Sequence, residues 1–210
     1  GKMSGDEWQK FANLRAFYAY MFSHPGTKLL FMGNDMAPYT EWNFKGQLEW
    51  NLLEFPSHKG LNNTVKDLNK LYKTEKALYH FNFSPEGFEW IDAGDRNNSI
   101  LIYQRKSDIK NDVVMVICNL NITPHVDYKI GVYAKQTWSL IFNSDDKAYW
   151  GSGYEIAANV STKKEAWNGR NHMLEINIPP LSVIMYKLIS SVEDKPKKVT
   201  IKPKKVVAKK

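Results

Sequence analysis

The pattern of apolar residues changes period near residue 80, and no single element type fits both sides of that change. Up to about Tyr79 apolar side chains recur at three and four positions; beyond Pro85 they fall in short runs rich in β-branched and aromatic residues. Such a chain folds as α/β material followed by a β domain, with the boundary at His80 to Glu86. Ser4 and Glu7 stand at capping-box spacing, and Trp8, Phe11, Leu14, Tyr18, Met21 and Phe22 follow as a stripe, which predicts a helix over Gly5 to Ser23. Its stop is His24-Pro25-Gly26, because the proline ring drives His24 out of helical angles. Lys28-Leu29-Leu30-Phe31-Met32 is apolar without alternation, the pattern of a strand covered on both faces in a parallel sheet. Gly33-Asn34-Asp35 ends it, a Trp-rich loop runs from Met36 to Pro56, and Leu61, Val65, Leu68, Leu71, Tyr72 and Leu78 predict a second helix over His58 to Tyr79. One parallel strand has unpaired amides and carbonyls along both edges, so its partner strands must be supplied from elsewhere.

In the second half, strands are expected at Phe88 to Ile91, Ser99 to Arg105, Val113 to Asn119, Val126 to Val132, Thr137 to Phe142, His172 to Ile178 and Leu181 to Leu188. Turn clusters such as Asp92-Ala93-Gly94-Asp95, Asn111-Asp112 and Pro179-Pro180 separate them, a spacing that describes an antiparallel sandwich. The stretch Tyr149 to Asn171 reads as irregular surface. With 210 residues and 43% apolar content the chain can bury an ordinary core.

The net charge of +7 is unevenly placed. Lys195 to Lys210 holds eight Lys and no acid, and the remainder carries 21 basic and 22 acidic groups. The body is therefore neutral, and residues 191–210 read as a solvated, disordered Lys-rich extension. Lys outnumbers Arg 25 to 4, so the planar fork that reads phosphates and base edges is scarce and no specific nucleic-acid partner is expected. No apolar run approaches the roughly 20 residues of a membrane span, and no signal pattern stands at the N-terminus. The single Cys118, in an apolar run, reads as a small buried side chain in a reducing compartment, so a cytoplasmic location is expected.

Phosphate-binding glycine loops, zinc-ligating helix pairs and nucleophile elbows are absent, and His24, His58, His80, His125 and His172 lack ligand spacing, so no metal or cofactor is expected. The feature that stands out is Asp35, placed just past the C-terminal end of the expected strand, where barrel and open-sheet enzymes set their working groups. Asn34 precedes it, and Glu41, Trp42, Glu49 and Trp50 follow in the loop. Trp beside carboxylates suits sugar, because the ring covers the apolar face of a pyranose while acids accept its hydroxyl hydrogens. The same residues also fit a loop packing on its own scaffold, and Asp35 fits hydrogen bonding to its own turn. Retaining glycoside cleavage needs two carboxylates about 5–5.5 Å apart, and nothing in the spacing of Asp35 and Glu41 fixes such a pair.

The run Gly1-Lys2-Met3-Ser4-Gly5-Asp6-Glu7-Trp8-Gln9-Lys10-Phe11-Ala12-Asn13-Leu14-Arg15 closely resembles bacterial 1,4-α-glucan branching enzymes of glycoside hydrolase family 13. Pro25 to Asp35, Glu41-Trp42-Asn43, Leu48-Glu49-Trp50, Phe88-Glu89-Trp90 and Pro179-Pro180-Leu181 carry the same resemblance, collinear from Gly1 to about Leu188.

The resemblance implies an α+β multi-domain fragment: residues 1–82 as the C-terminal segment of a catalytic (β/α)8 TIM barrel with Leu29 to Met32 its final strand, and residues 83–190 as an all-β antiparallel sandwich. The family's nucleophile aspartate, acid/base glutamate and second aspartate all lie before the segment matching Gly1, so no catalytic residue is expected here. The implied parent reaction cleaves α-1,4-glucan and transfers the chain to a 6-hydroxyl. The implied partners are α-glucan, contacted by Asn34, Asp35, Glu41, Trp42 and Trp50, and the missing N-terminal part of the same enzyme. The family usually has Glu at the position of Asp35 and Asp at that of Glu49, so each side chain differs in reach by one methylene. Alternatives are a non-catalytic α-glucan-binding module, a fragment of another family 13 amylase-like enzyme, and a basic-tail interaction protein.

Overall fold

The computed structural model describes residues 3–192; the Lys-rich extension lies outside them. Helix α1 spans Glu7–Ser23. Its capping box is Asp6 with Gln9, one box later than Ser4 with Glu7: the Asp6 carboxylate accepts from the Gln9 amide at 2.8 Å while the Gln9 side chain accepts from the Asp6 amide at 3.0 Å. Gly5 just before it sits at φ +96°, a left-handed angle that keeps Ser4 off the helix end. Helix α2 spans Pro56–Thr74 and a short α3 spans Lys76–Tyr79, so the second expected helix begins earlier and breaks at Glu75, whose backbone is extended.

The strand expected at Leu29 to Met32 is not present, and no sheet forms among described residues 3–82. The segment is irregular, with Leu29 79%, Phe31 52% and Met32 53% exposed. The apolar run matches burial on both faces in sequence, but a lone strand has no ladder to join, and the described residues offer none beside it. The expected C-terminal barrel segment therefore contains no barrel strand among the described residues.

Eight strands follow among the described residues: β1 Phe88–Asp92, β2 Ile100–Lys106, β3 Val113–Asn119, β4 His125–Val132, β5 Lys135–Asn143, β6 Asn159–Ser161, β7 His172–Ile178 and β8 Ser182–Val192. The stretch read as irregular surface thus contributes the short β6. They make a six-stranded antiparallel sheet, ordered β1-β2-β3-β8-β5-β6, and a two-stranded sheet of β4 and β7. Strand β3 explains the layering. Val114, Val116 and Cys118 point to one face and pack with Phe11, Ala19 and Phe22 of α1 and Leu61, Val65 and Leu68 of α2. Met115 and Ile117 point to the other and pack with Ile130 and Val132 of β4 and Leu174 and Ile176 of β7. Both faces are covered, so β3 reads as a continuous apolar run. Burying each such Leu or Ile stabilises by roughly 1.5–3 kcal/mol.

Two fully buried arginines tie the helices to the sheet. Arg105 of β2 donates to Ser23 O at 2.6 Å, Gly87 O at 3.1 Å and Asn82 Oδ1 at 3.0 Å, joining the end of α1 and the 82–87 connection to the sheet. Arg15 of α1 donates through Nε to Ser144 O at 2.8 Å beyond β5; burial lowers its guanidinium to about 10, opposed by the charge of Asp145. No helix among the described residues is long and apolar enough to cross a membrane.

Candidate functional site

The expected site loop is held at its base by a 3-10 turn, Asn34–Met36, between two left-handed residues, Gly33 at φ +74° and Ala37 at φ +54°. Three side chains from the helices fix that turn. Tyr18 of α1, 4% exposed, donates its hydroxyl to Asn34 O at 2.8 Å. Burial first, and then the Asp35 charge, push the Tyr18 phenol up to about 12, so it stays a donor at neutral pH. Asn62 of α2 donates to Asp35 Oδ2 at 3.0 Å. Buried His58 of α2 meets Met36 O at 2.7 Å through Nδ1, and because a carbonyl only accepts, Nδ1 carries the proton. The His58 ring is walled edge-on by Phe11 at 4.9 Å and Tyr39 at 5.1 Å.

Between α1 and the loop lies an open cleft of about 590 Å³ bordered by Leu14, Tyr18, Phe31, Tyr39, Glu41 and Trp42, with Asn34 at its edge. A second hollow of about 320 Å³, reaching Glu7, Lys10 and Phe11, adjoins it and shares Leu14 and Tyr39. Trp42, 48% exposed, stands edge-on to Phe31 at 5.2 Å and tilted to Phe44 at 6.4 Å. Asn34, Glu41 and Trp42 are therefore brought together at one cleft. Asp35 is not among its walls: its carboxylate turns to Asn62 of α2 rather than to the amides of its own turn. Trp50 opens a separate 3-10 stretch, Trp50–Glu54, and is 60% exposed away from the cleft. Glu49 has one carboxylate oxygen buried without a hydrogen-bond partner among the described residues.

Chemically the cleft offers ring faces, one carboxylate and amide groups: a lining suited to a polyhydroxylated chain, without a carboxylate pair placed for bond cleavage. No group of three metal-ligating side chains occurs among the described residues. Sequence reasoning missed Tyr18, assigned to the core stripe, and Phe31, assigned to a buried strand; His58 and Asn62, on the first half of α2, gave no signal beyond helix polarity. Cys118 is buried as expected, its thiol pushed up to about 12 by desolvation.

Residues 90–189 match the family of the alpha amylase C-terminal all-beta domain. The chain is 48% identical over 187 residues to the 1,4-alpha-glucan branching enzyme GlgB of Aquifex aeolicus (strain VF5), a match covering 89% of this chain and 30% of that protein. It is 41% identical over 194 residues to the enzyme of the same name from Synechocystis sp. (strain ATCC 27184 / PCC 6803 / Kazusa), covering 92% of this chain and 25% of that protein. The chain thus spans about a quarter to a third of the length of these relatives. Among solved structures, the debranching enzyme of Nostoc punctiforme shares the fold at a TM-score of 0.52 and 14% identity, over 86% of this chain and 31% of that one.

Proposed function

We propose that this chain, which carries an alpha amylase C-terminal all-β domain and aligns along nine-tenths of its length with 1,4-α-glucan branching enzymes, is the C-terminal portion of such an enzyme. The parent reaction would cleave α-1,4-glucan and join the freed chain to a 6-hydroxyl as an α-1,6 branch in the cytoplasm, with glucan rather than water as acceptor. The observation that carries the reading is the collinear 48% identity over 187 residues.

In this reading residues 83–190 form the C-terminal β domain and residues 1–82 the helical segment that meets the catalytic domain. The missing N-terminal part covers the face that Leu29, Phe31, Met32, Phe44 and Phe55 leave more than half exposed. Exposed apolar patches of that kind mark interaction surfaces. Trp42, Glu41 and Asn34 line the glucan path, Trp50 offers a separate contact outside that cleft, and Asp35 acts by fixing the turn that presents Asn34. Catalytic carboxylates come from the missing part, so the 210-residue chain is silent alone.

Incubation with amylose followed by iodine staining and linkage analysis should show no loss of colour and no α-1,6 linkages; robust branching by the purified chain would overturn the claim. An upstream reading frame lacking the barrel strands and their three acids would overturn the parentage.

A further inference from the structure

We propose that Asn168-Gly169 is a site of spontaneous deamidation, where the chain's own backbone and water convert the asparagine to aspartate or isoaspartate and unfasten the end of β1. It is the one Asn-Gly step in the 210 residues. The pair forms the tip of a two-residue turn: Trp167 and Arg170 exchange backbone bonds of 3.0 and 2.9 Å, with Asn168 at φ +46° and Gly169 at φ +74°. Both angles are left-handed, as a type I′ turn requires, which is the structural reason for Asn-Gly here. Behind the tip the turn rests on β4, where a Cβ at Gly131 would meet Trp167 O at 2.3 Å. In front it is open: Asn168 and Gly169 are exposed, and a Cβ at Gly169 would meet nothing within 4 Å.

In the reaction the Gly169 nitrogen attacks Asn168 Cγ and a new N–C bond forms. The Cγ–Nδ2 bond breaks, and the side-chain nitrogen leaves as ammonia with the proton of the Gly169 amide, leaving a cyclic imide. Water then opens the imide at Cγ to give aspartate, or at the main-chain carbonyl to give isoaspartate with its backbone routed through Cγ. Glycine has no Cβ to crowd the closing ring, and the Gly169 N–H meets no acceptor among the described residues. Two other asparagines precede a small residue, Ser99 or Ser144, and both are restrained. Asn98 donates its amide to Asp95 Oδ2 at 2.8 Å; Asn143 accepts from the Asp145 amide at 2.9 Å and is followed by a buried serine. Conversion therefore concentrates at Asn168.

What the site controls is visible in its contacts. Asn168 Nδ2 donates to Asp92 Oδ2 at 3.3 Å, and Arg170 donates to Ile91 O at 3.1 Å. Together they clip the turn to the end of β1, an edge strand whose pairing with β2 already shifts register between Trp90 and Asp92. Conversion removes the donor and sets a second carboxylate against Asp92, where like charges repel. Arg170 still holds Ile91 O, so the clip loosens first at Asp92.

The test is to age the 210-residue chain at mildly alkaline pH below its melting temperature. Peptide mass spectrometry locates the converted residue, and methylation by an isoaspartyl methyltransferase measures isoaspartate. Most of the conversion is expected at Asn168, and Asn168→Gly, which keeps the left-handed turn but has no amide to lose, should stay near the background of isoaspartate. Hydrogen exchange then reads the clip. In the aged chain and in Asn168→Asp, the β1 amides should exchange about two- to tenfold faster than in the fresh parent, the effect of losing one hydrogen bond. Unchanged exchange in β3 shows that each chain remains folded. Conversion at Asn168 no greater than at Asn98 or Asn143 overturns the site, and β1 exchange in Asn168→Asp equal to that of the parent overturns the clip.

Discussion

Replacing Arg105 tests whether the helices and the sheet are one cooperative unit. Its guanidinium is fully buried and faces no carboxylate; three oxygens from different segments, Ser23 O, Gly87 O and Asn82 Oδ1, accept its protons. Arg105→Met keeps most of the stem volume and removes all three bonds. A hydrogen bond to a charged group contributes about 1.5–3 kcal/mol net, so simple addition gives about 4.5–9 kcal/mol. Returning the guanidinium to water recovers several kcal/mol of desolvation, and partial repacking recovers more, which leaves a net loss of about 4 kcal/mol. At about 2–4 °C per kcal/mol for a domain of this size, the melting temperature should fall by about 8–16 °C. Arg105→Lys keeps the charge, but one ammonium on a single stem cannot span three acceptors, so about half the loss should remain. Urea titration followed by Trp fluorescence reads both variants. A Met variant within about 1 kcal/mol of the parent, with an unchanged slope, would refute the junction argument.

Three further outcomes follow from local geometry. Gly60→Ala, a change that stabilises an ordinary exposed helix by about 1 kcal/mol, should instead destabilise α2 by about 1–3 kcal/mol, because its Cβ would stand 2.6 Å from the Tyr149 carbonyl; urea midpoints check the sign. Cys118 should resist thiol reagents at pH 8 in the native state and react fully in denaturant, since its thiol is pushed up to about 12. Burial alone would raise the Asp112 carboxyl and lower the Lys187 ammonium, but their mutual bond, with Glu75 at 2.7 Å from Lys187, outweighs it: Asp112 is held below and Lys187 above its ordinary range. The stability they add is present from about pH 4 to about pH 10, lost in acid as Asp112 takes up its proton and in base as Lys187 releases its own. Lys187→Met should therefore cost most near neutrality and progressively less as acid protonates Asp112, as pH-dependent melts would show.

The β half was legible because burial on a sheet imposes its own period. Val113–Asn119 and His172–Ile178 form at the bounds their apolar runs mark, and β8 exceeds its run only at the exposed end, reaching Val192. Helix α1 was legible as an element but not at its cap, because Ser4 with Glu7 and Asp6 with Gln9 present overlapping boxes and only the backbone reversal at Gly5 chooses between them. Arg15 and Arg105 left no trace in the pattern, since a guanidinium buried against backbone carbonyls looks in sequence like any surface Arg. At the site, the loop and its Trp were visible, but the turning of Asp35 toward Asn62 depends on a partner 27 positions away.

The failure at Leu29 to Met32 bears on function more than the successes do. An apolar run states only that something covers it; sequence cannot say whether the cover comes from the same chain. Here the flanking structure is well formed: Tyr18, His58 and Asn62 hold the Asn34–Met36 turn immediately after the run, and Lys28 is drawn in from the other side, donating to His24 O at 2.5 Å. The segment between is fixed at both ends while Leu29 stays 79% exposed. Leaving such side chains in water costs roughly 1.5–3 kcal/mol each relative to burial. In the proposed parent, the part preceding this segment would cover the run, and the same contact would close the Trp42 cleft beside it.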